Sequence, residues 1–204
     1  MPLVYEKAGE AIHQSLVDIM LEHHRELAAC EVTVDVLKVA KVDSDGIADG
    51  HALRHNGYAA AATIKIVAPK QRALGQADAL VTIDSTTWDV LDEAERVALL
   101  DHELEHLQVR SGAIGYPVAI DADTGELVGK AVLDEQGRPK LLMKLHDWQL
   151  GGFKAIAERH GTGALEVQEA LDCRNPETGQ YHWEWGMAEH PGQAKLFVKA
   201  AEPV

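Results

Sequence analysis

Apolar residues in the first thirty positions recur mostly at three- and four-residue steps: Ala8, Ile12, Leu16, Ile19, Met20 and Leu27. That spacing predicts an amphipathic helix from about Glu6 to Ala29. The period then changes. In EVTVDVLKVAKV, Val32, Val34, Leu37 and Val39 predict a strand; AATIKIVAP predicts a second, ended by Pro69; and ADALVTID, Ala77 to Asp84, is a continuous apolar run of the kind buried inside a sheet. Between the first two lies DSDGIADGHALRHNG, Asp43 to Gly57, whose Asp, Gly and His content predicts a loop.

Ser85 or Thr86 is a candidate cap for a turn around Trp88. Asp92 is a candidate N-cap for a helix from about Glu93 to Arg110, acidic in its first turn, basic at its end and stopped by Gly112. YPVAID, ELVGKAVLD and PKLLMKL, separated by the turns DADTGE and DEQGRP, predict a β-meander. DADTGE starts like a calcium loop, but Gly stands fifth rather than sixth and Val132 occupies the position of the bidentate Glu, so that reading is rejected. A helix from Asp147, its cap, to His160 is stopped by Gly161; ALEVQEALD predicts a short helix; and the tail sets Tyr181, Trp183 and Trp185 on one side of a candidate strand.

Composition narrows the function classes. With 204 residues, 46% of them hydrophobic and 25% charged, the chain suits one core with an appendage. A net charge of −14 with no two Lys or Arg adjacent argues against direct nucleic-acid binding. The N-terminus lacks a basic start followed by an apolar core, and no apolar stretch approaches a membrane span, so a soluble, cytoplasmic protein is expected. Cys30 and Cys173, far apart and without a C-x-x-C partner, read as free thiols, and the adjacent His23 and His24, about 100° apart on a helix, as solvated or dipole-complementing residues.

The chemistry sits in LLDHELEHL, where His102, Glu103 and His106 spell H-E-x-x-H. For 11 His in 204 residues, chance predicts roughly 0.05 occurrences of this pattern. The two histidines lie one turn apart, within about 40° on the helical wheel, so both imidazoles can face one metal ion. Val97, Leu100, Leu104 and Leu107 form a stripe on the opposite side, while Ala98, Leu99 and Val109 share the histidine side, as on the wall of a cleft. In zinc hydrolases with this motif the Glu takes a proton from water and passes it to the leaving group, the role expected of Glu103. The bland alternative is an acidic helix with Asp101, Glu103 and Glu105 as its solvated face. The extended motif ending in a third His is excluded, because Val109 replaces its Gly and Gly112 its His. The best third ligand is His146, between the strand KLLMKL and the following helix. His51 and His55 would chelate a second metal if HALRH formed a helical turn, or hydrogen-bond an oxyanion, but their Gly-flanked setting favours a polar loop.

DALVTIDSTTWDVLDEAERVALLDHELEHL, followed after a variable hairpin by KLHDWQLGGFKAIAERHG, resembles the putative phage metallopeptidases, compact relatives of the SprT-like zincins. The resemblance spans about Gln14 to Gly161. It implies an α+β, zincin-like mixed sheet packed on the HExxH helix, with further helices and a β-meander insertion. It implies Zn2+ held by His102, His106 and His146, Glu103 as catalytic base, and Asp147 and Asp101 as carboxylates that orient ligands or cap the helix. A phage origin places the protein in the bacterial host cytoplasm. Domain organisation follows as residues 1–161 for the metallopeptidase and 162–204 for a helix and aromatic tail. The expected substrate is a peptide or protein paired to an edge strand, either ATIKIV or ALVTID. Two other readings remain: a structural zinc scaffold acting as a viral interaction protein, with His182 or His51 as fourth ligand, and the same hydrolysis applied to a cell-wall amide.

Overall fold

A mixed four-stranded sheet lies against two main helices in the computed structural model, which describes residues 2–55, 58–112, 116–147 and 152–172. The chain begins with strand β1 (Leu3–Lys7), most of it ahead of the helix expected from about Glu6. Leu3, Val4 and Tyr5 are all exposed, so the strand leaves no burial pattern in the sequence; it is held by antiparallel pairing of Leu3 to Lys41 through Lys7 to Leu37. Helix α1 (Glu10–His23) and the short α2 (Arg25–Ala29) follow, split at His24, whose φ of −125° is not helical. Leu16, Ile19, Met20 and Leu27 are buried, as their spacing predicts.

β2 (Val34–Lys41) leads through a hairpin of β3 (Arg54–His55) and β4 (Tyr58–Ala59) into β5 (Ala62–Ile66). After α3 (Pro69–Arg72), β6 (Ala79–Asp84) runs parallel to β2 and antiparallel to β5, giving the order β1-β2-β6-β5. Ala79, Val81 and Ile83 face the helices, whereas Leu80 and Thr82 are half-buried on the other face. β6 is therefore interior and β5 is an edge.

Asp84, rather than Ser85 or Thr86, caps α4 (Ser85–Val90), accepting from the Thr87 N–H at 2.9 Å. Asp92 caps α5 (Glu93–Glu105) as expected, in a reciprocal capping box with Glu95. That helix stops five residues before Arg110. His106 ends it, its N–H turning to Glu103 O at 3.3 Å, and β7 (Leu107–Val109) begins at the next residue. Leu107 and Val109 are buried two residues apart, a strand period that the helical wheel cannot distinguish over so short a stretch.

β8 (Ala119–Ile120) and β9 (Leu127–Val128) form a hairpin over DADTGE, and β10 (Leu141–Met143) returns to pair antiparallel with β7. The second expected turn, DEQGRP, also closes, with Leu133 bridged to Pro139 and the Lys140 N–H bonded to Val132 O, and the β7–β10 pairing clamps this excursion beside the end of α5. Helix α6 (Lys154–His160) starts seven residues later than expected, and a 3-10 turn (Gly161–Gly163) connects it to α7 (Leu165–Asp172). The aromatic tail, with Cys173, His182, Trp183 and Trp185, lies outside the described residues. Among the described residues no helix is long and apolar enough to cross a membrane.

Candidate metal centre

α5 lies against the sheet, with Leu99, Leu100 and Leu104 in the core. The solvated-face reading fails here, because Asp101 and Glu103 are buried. His102 and His106 emerge half-buried on one side, and the turn from β10 brings His146 opposite them. One ligand atom from each of the three lies within 4.8 Å of the others, and among the described residues no fourth His, Cys, Asp or Glu joins the group. His146 Nε2 is 3.3 Å from His102 Nε2.

The other ring nitrogens are engaged. His106 Nδ1 is 2.9 Å from the Lys144 carbonyl, and His102 Nδ1 is 3.1 Å from Glu166 Oε1. Both helix histidines therefore have Nδ1 engaged and Nε2 left for a metal ion, an arrangement that suits histidine ligation. Phe153, fully buried, closes the floor, its ring centroid 4.8 to 5.2 Å from all three imidazoles.

Electrostatics favour the neutral form of His106 and His146 and the protonated form of His102. Burial, helped by the neighbouring His102 and His146, pushes His106 down to about 4; burial and His102 likewise lower His146. For His102 burial pulls downward, but the hydrogen bond to Glu166 and the charges of Glu103, Glu166 and Asp101 outweigh it and raise its pKa. Glu103 is pushed up to about 7, chiefly by burial, although His102 and a hydrogen bond from the Ile64 N–H oppose the rise.

Of the two carboxylates expected to orient ligands or cap the helix, Asp147 serves at the helix start and Asp101 in a buried network. Asp147 Oδ1 accepts from the Lys154 N–H at 3.0 Å, capping α6 from outside it, and its other oxygen pairs with Lys144 at 3.4 Å. Asp101 is fully buried and takes 2.6 Å hydrogen bonds from His24 Nε2, Arg159 Nη1 and His160 Nε2. His24 is thus a buried partner, not a solvated residue. Arg159 also reaches Glu105 at 2.7 Å, and Glu105 holds Lys144 at 2.5 Å, so this network leads from the helices to the strand end that seats His106.

His51 stays out of the cluster, with Nδ1 3.3 Å from Thr87 Oγ1 and 3.6 Å from Asp84 Oδ1. HALRH is not helical, which removes the geometry for a second chelate. Cys30 is free and half-buried, its thiol pKa raised first by burial. The residue that sequence reasoning missed is Glu166: an acidic residue in a helix's first turn reads as a dipole complement and carries no sign of its partner. It also lies beyond the boundary expected at Gly161. From there α7 contacts α5 and meets His102.

Neither a curated protein nor a solved structure matches the chain. A family model does, over residues 6–173, taking in the whole triad, Glu103 and Glu166. The chain belongs to the family described as putative phage metallopeptidase.

Proposed function

We propose that the protein is a zinc-dependent peptidase in which His102, His106 and His146 hold the metal and Glu103 is the catalytic base. The observation that carries this reading is the convergence of three imidazoles, with no fourth protein ligand among the described residues, beside a buried carboxylate. Three histidine nitrogens, with no fourth protein ligand among the described residues, suit a catalytic zinc rather than a structural one. The chemistry zinc supplies in such a site is Lewis acidity, which acidifies water and polarises a carbonyl.

Glu103 does the proton work. Burial pushes its carboxyl up to about 7 in the metal-free protein, and its place beside the histidines suits it to take and return a proton. The Ile64 N–H fixes one end of that carboxylate. Phe153 excludes water from beneath the histidines.

Substrate is an extended peptide laid along β5. The bonds from Asp84 N–H to Ala61 O and from Val67 N–H to Asp78 O turn the odd-numbered peptide groups of this strand toward β6. Those of Ala62, Ile64 and Ile66 therefore face the open edge, and Ile64 is the residue that touches Glu103. A backbone paired there passes directly over the base.

The test is zinc per chain and cleavage of a fluorogenic unfolded protein, for the wild type and Glu103→Gln. The expected result is one zinc in both and cleavage reduced about 10²- to 10⁴-fold in the variant. A wild type without zinc after reconstitution, or a variant as active as the wild type, overturns the proposal.

A further inference from the structure

We propose that Glu166 is the positioning residue of the metal centre, fixing His102 with its proton on Nδ1 and its Nε2 presented, and that Gly152 is glycine in order to make room for it. The inference rests on the metal-site reading above and adds two residues to it.

Glu166 stands in the first turn of α7, only 7% exposed, with Oε1 3.1 Å from His102 Nδ1. Its carboxylate also accepts from the Phe153 N–H, so it joins α5, the start of α6 and α7 at one point. No other hydrogen bond is made by His102 Nδ1 among the described residues. The two helix histidines differ in this respect: His106 leans on a backbone carbonyl that the β7–β10 pairing holds in place, whereas His102 depends on a side chain.

Gly152 is not in the left-handed region, so its identity is not explained by backbone conformation. Space explains it. A Cβ at this position would lie 2.7 Å from both Cγ and Oε1 of Glu166 and 2.8 Å from its Cβ. Any other residue must displace Glu166 and, with it, the support of His102. Gly152 and Glu166 thus form one device, although neither touches the point where the three Nε2 atoms converge.

The experiment uses the full chain and four variants: Glu166→Ala, Glu166→Gln, Gly152→Ala, and the double variant Gly152→Ala with Glu166→Ala. Two properties are read. The first is the tautomer of His102 from imidazole ¹⁵N shifts of the metal-free protein in mildly alkaline buffer; the second is zinc affinity by competition with a chromophoric chelator. In the wild type His102 is expected with its proton on Nδ1. Glu166→Ala should shift His102 toward the other tautomer and weaken zinc binding about tenfold to a hundredfold. Glu166→Gln, whose amide oxygen still accepts, should keep the tautomer and lose less affinity. Gly152→Ala should match Glu166→Ala, and the double variant should be no weaker than either single one.

An unchanged tautomer with zinc affinity within twofold of wild type in Glu166→Ala overturns the inference, as do additive losses in the double variant. Should Glu166→Ala fail to fold, the same tautomer and affinity comparison in Gly152→Ala decides. A wild type that binds no zinc overturns the metal-site reading instead, and the tautomer measurement still decides the role of Glu166.

Discussion

Asp101→Asn is predicted to destabilise the protein by about 3 kcal/mol while leaving the folded protein able to bind zinc. The Asp101 carboxylate is fully buried, and four short contacts converge on its two oxygens from His24, Arg159 and His160. Burial alone would raise its pKa, but the hydrogen bonds of His24 and His160 and the charges of His24 and Arg159 outweigh it and hold the group at about 2, against an ordinary 3.8. At about 1.4 kcal/mol per pH unit, that depression corresponds to about 2 kcal/mol. An amide adds to the cost, because its NH2 faces a donor, and breaking one side of a buried charged network costs about 3–5 kcal/mol. For a domain of this size a loss of about 3 kcal/mol lowers Tm by on the order of 10 °C. The pH dependence has a definite sign. Because the folded-state pKa is depressed, the stabilisation is complete above the unfolded value near 4 and disappears as pH falls toward 2. Urea unfolding of both proteins should show a constant gap from neutrality down to about pH 5 and a narrowing gap below about pH 4. A gap under about 0.5 kcal/mol at neutral pH, or one that does not narrow in acid, refutes the reasoning.

Phe153→Ala removes a fully buried ring packed on three imidazoles; a loss of about 3–5 kcal/mol is expected in urea unfolding, with weaker zinc binding in a chelator titration, and unaltered values for both would show that the floor is dispensable. Asp84→Ala deletes the cap of α4 and the acceptor for the Ala52 and Leu53 N–H groups at 2.6 and 3.2 Å. Amide exchange at Ala52 and Leu53 should quicken while β6 stays protected, and unchanged exchange at those two amides would count against Asp84 as the anchor of that loop.

What the sequence disclosed depended on which residues carried a period. β2 was legible through Val32, Val34, Leu37 and Val39, and β6 through the apolar run ADALVTID; in the fold Val34 and Val36, and Ala79, Val81 and Ile83, alternate in burial because one face of the sheet meets α1 and α5. Asp92 announced the start of α5 through its box with Glu95. β1 was invisible because its side chains are exposed and only its backbone is paired. The end of α5 was misplaced because Leu107 and Val109 suit either period until β10 supplies the pairing partner. In the site, the H-E-x-x-H spacing and the junction position of His146 pointed to residues that the fold does bring together. Glu166 and the network of Asp101 with His24 and His160 were not legible, since buried carboxylates meeting residues about sixty or more positions away look, one at a time, like surface charges.

The β7–β10 clamp has a consequence for how the chain can vary in length. Between Arg110 and Lys140 the polypeptide leaves the site and returns, and both ends are tied: Arg110 N–H to Lys140 O at 2.8 Å and Lys144 N–H to His106 O at 2.7 Å. The registry of His146 against His102 and His106 is therefore set by the ladder and not by the length of the excursion. Arg138 and Pro139 tie its returning arm to Asp78 and Arg72, whereas β8 and β9 pair with each other. Closing a flexible excursion costs entropy only logarithmically, about 0.6 kcal/mol per doubling of its length. Insertions and deletions at the β8–β9 tip can accumulate with little effect on the distance between the second and third histidines.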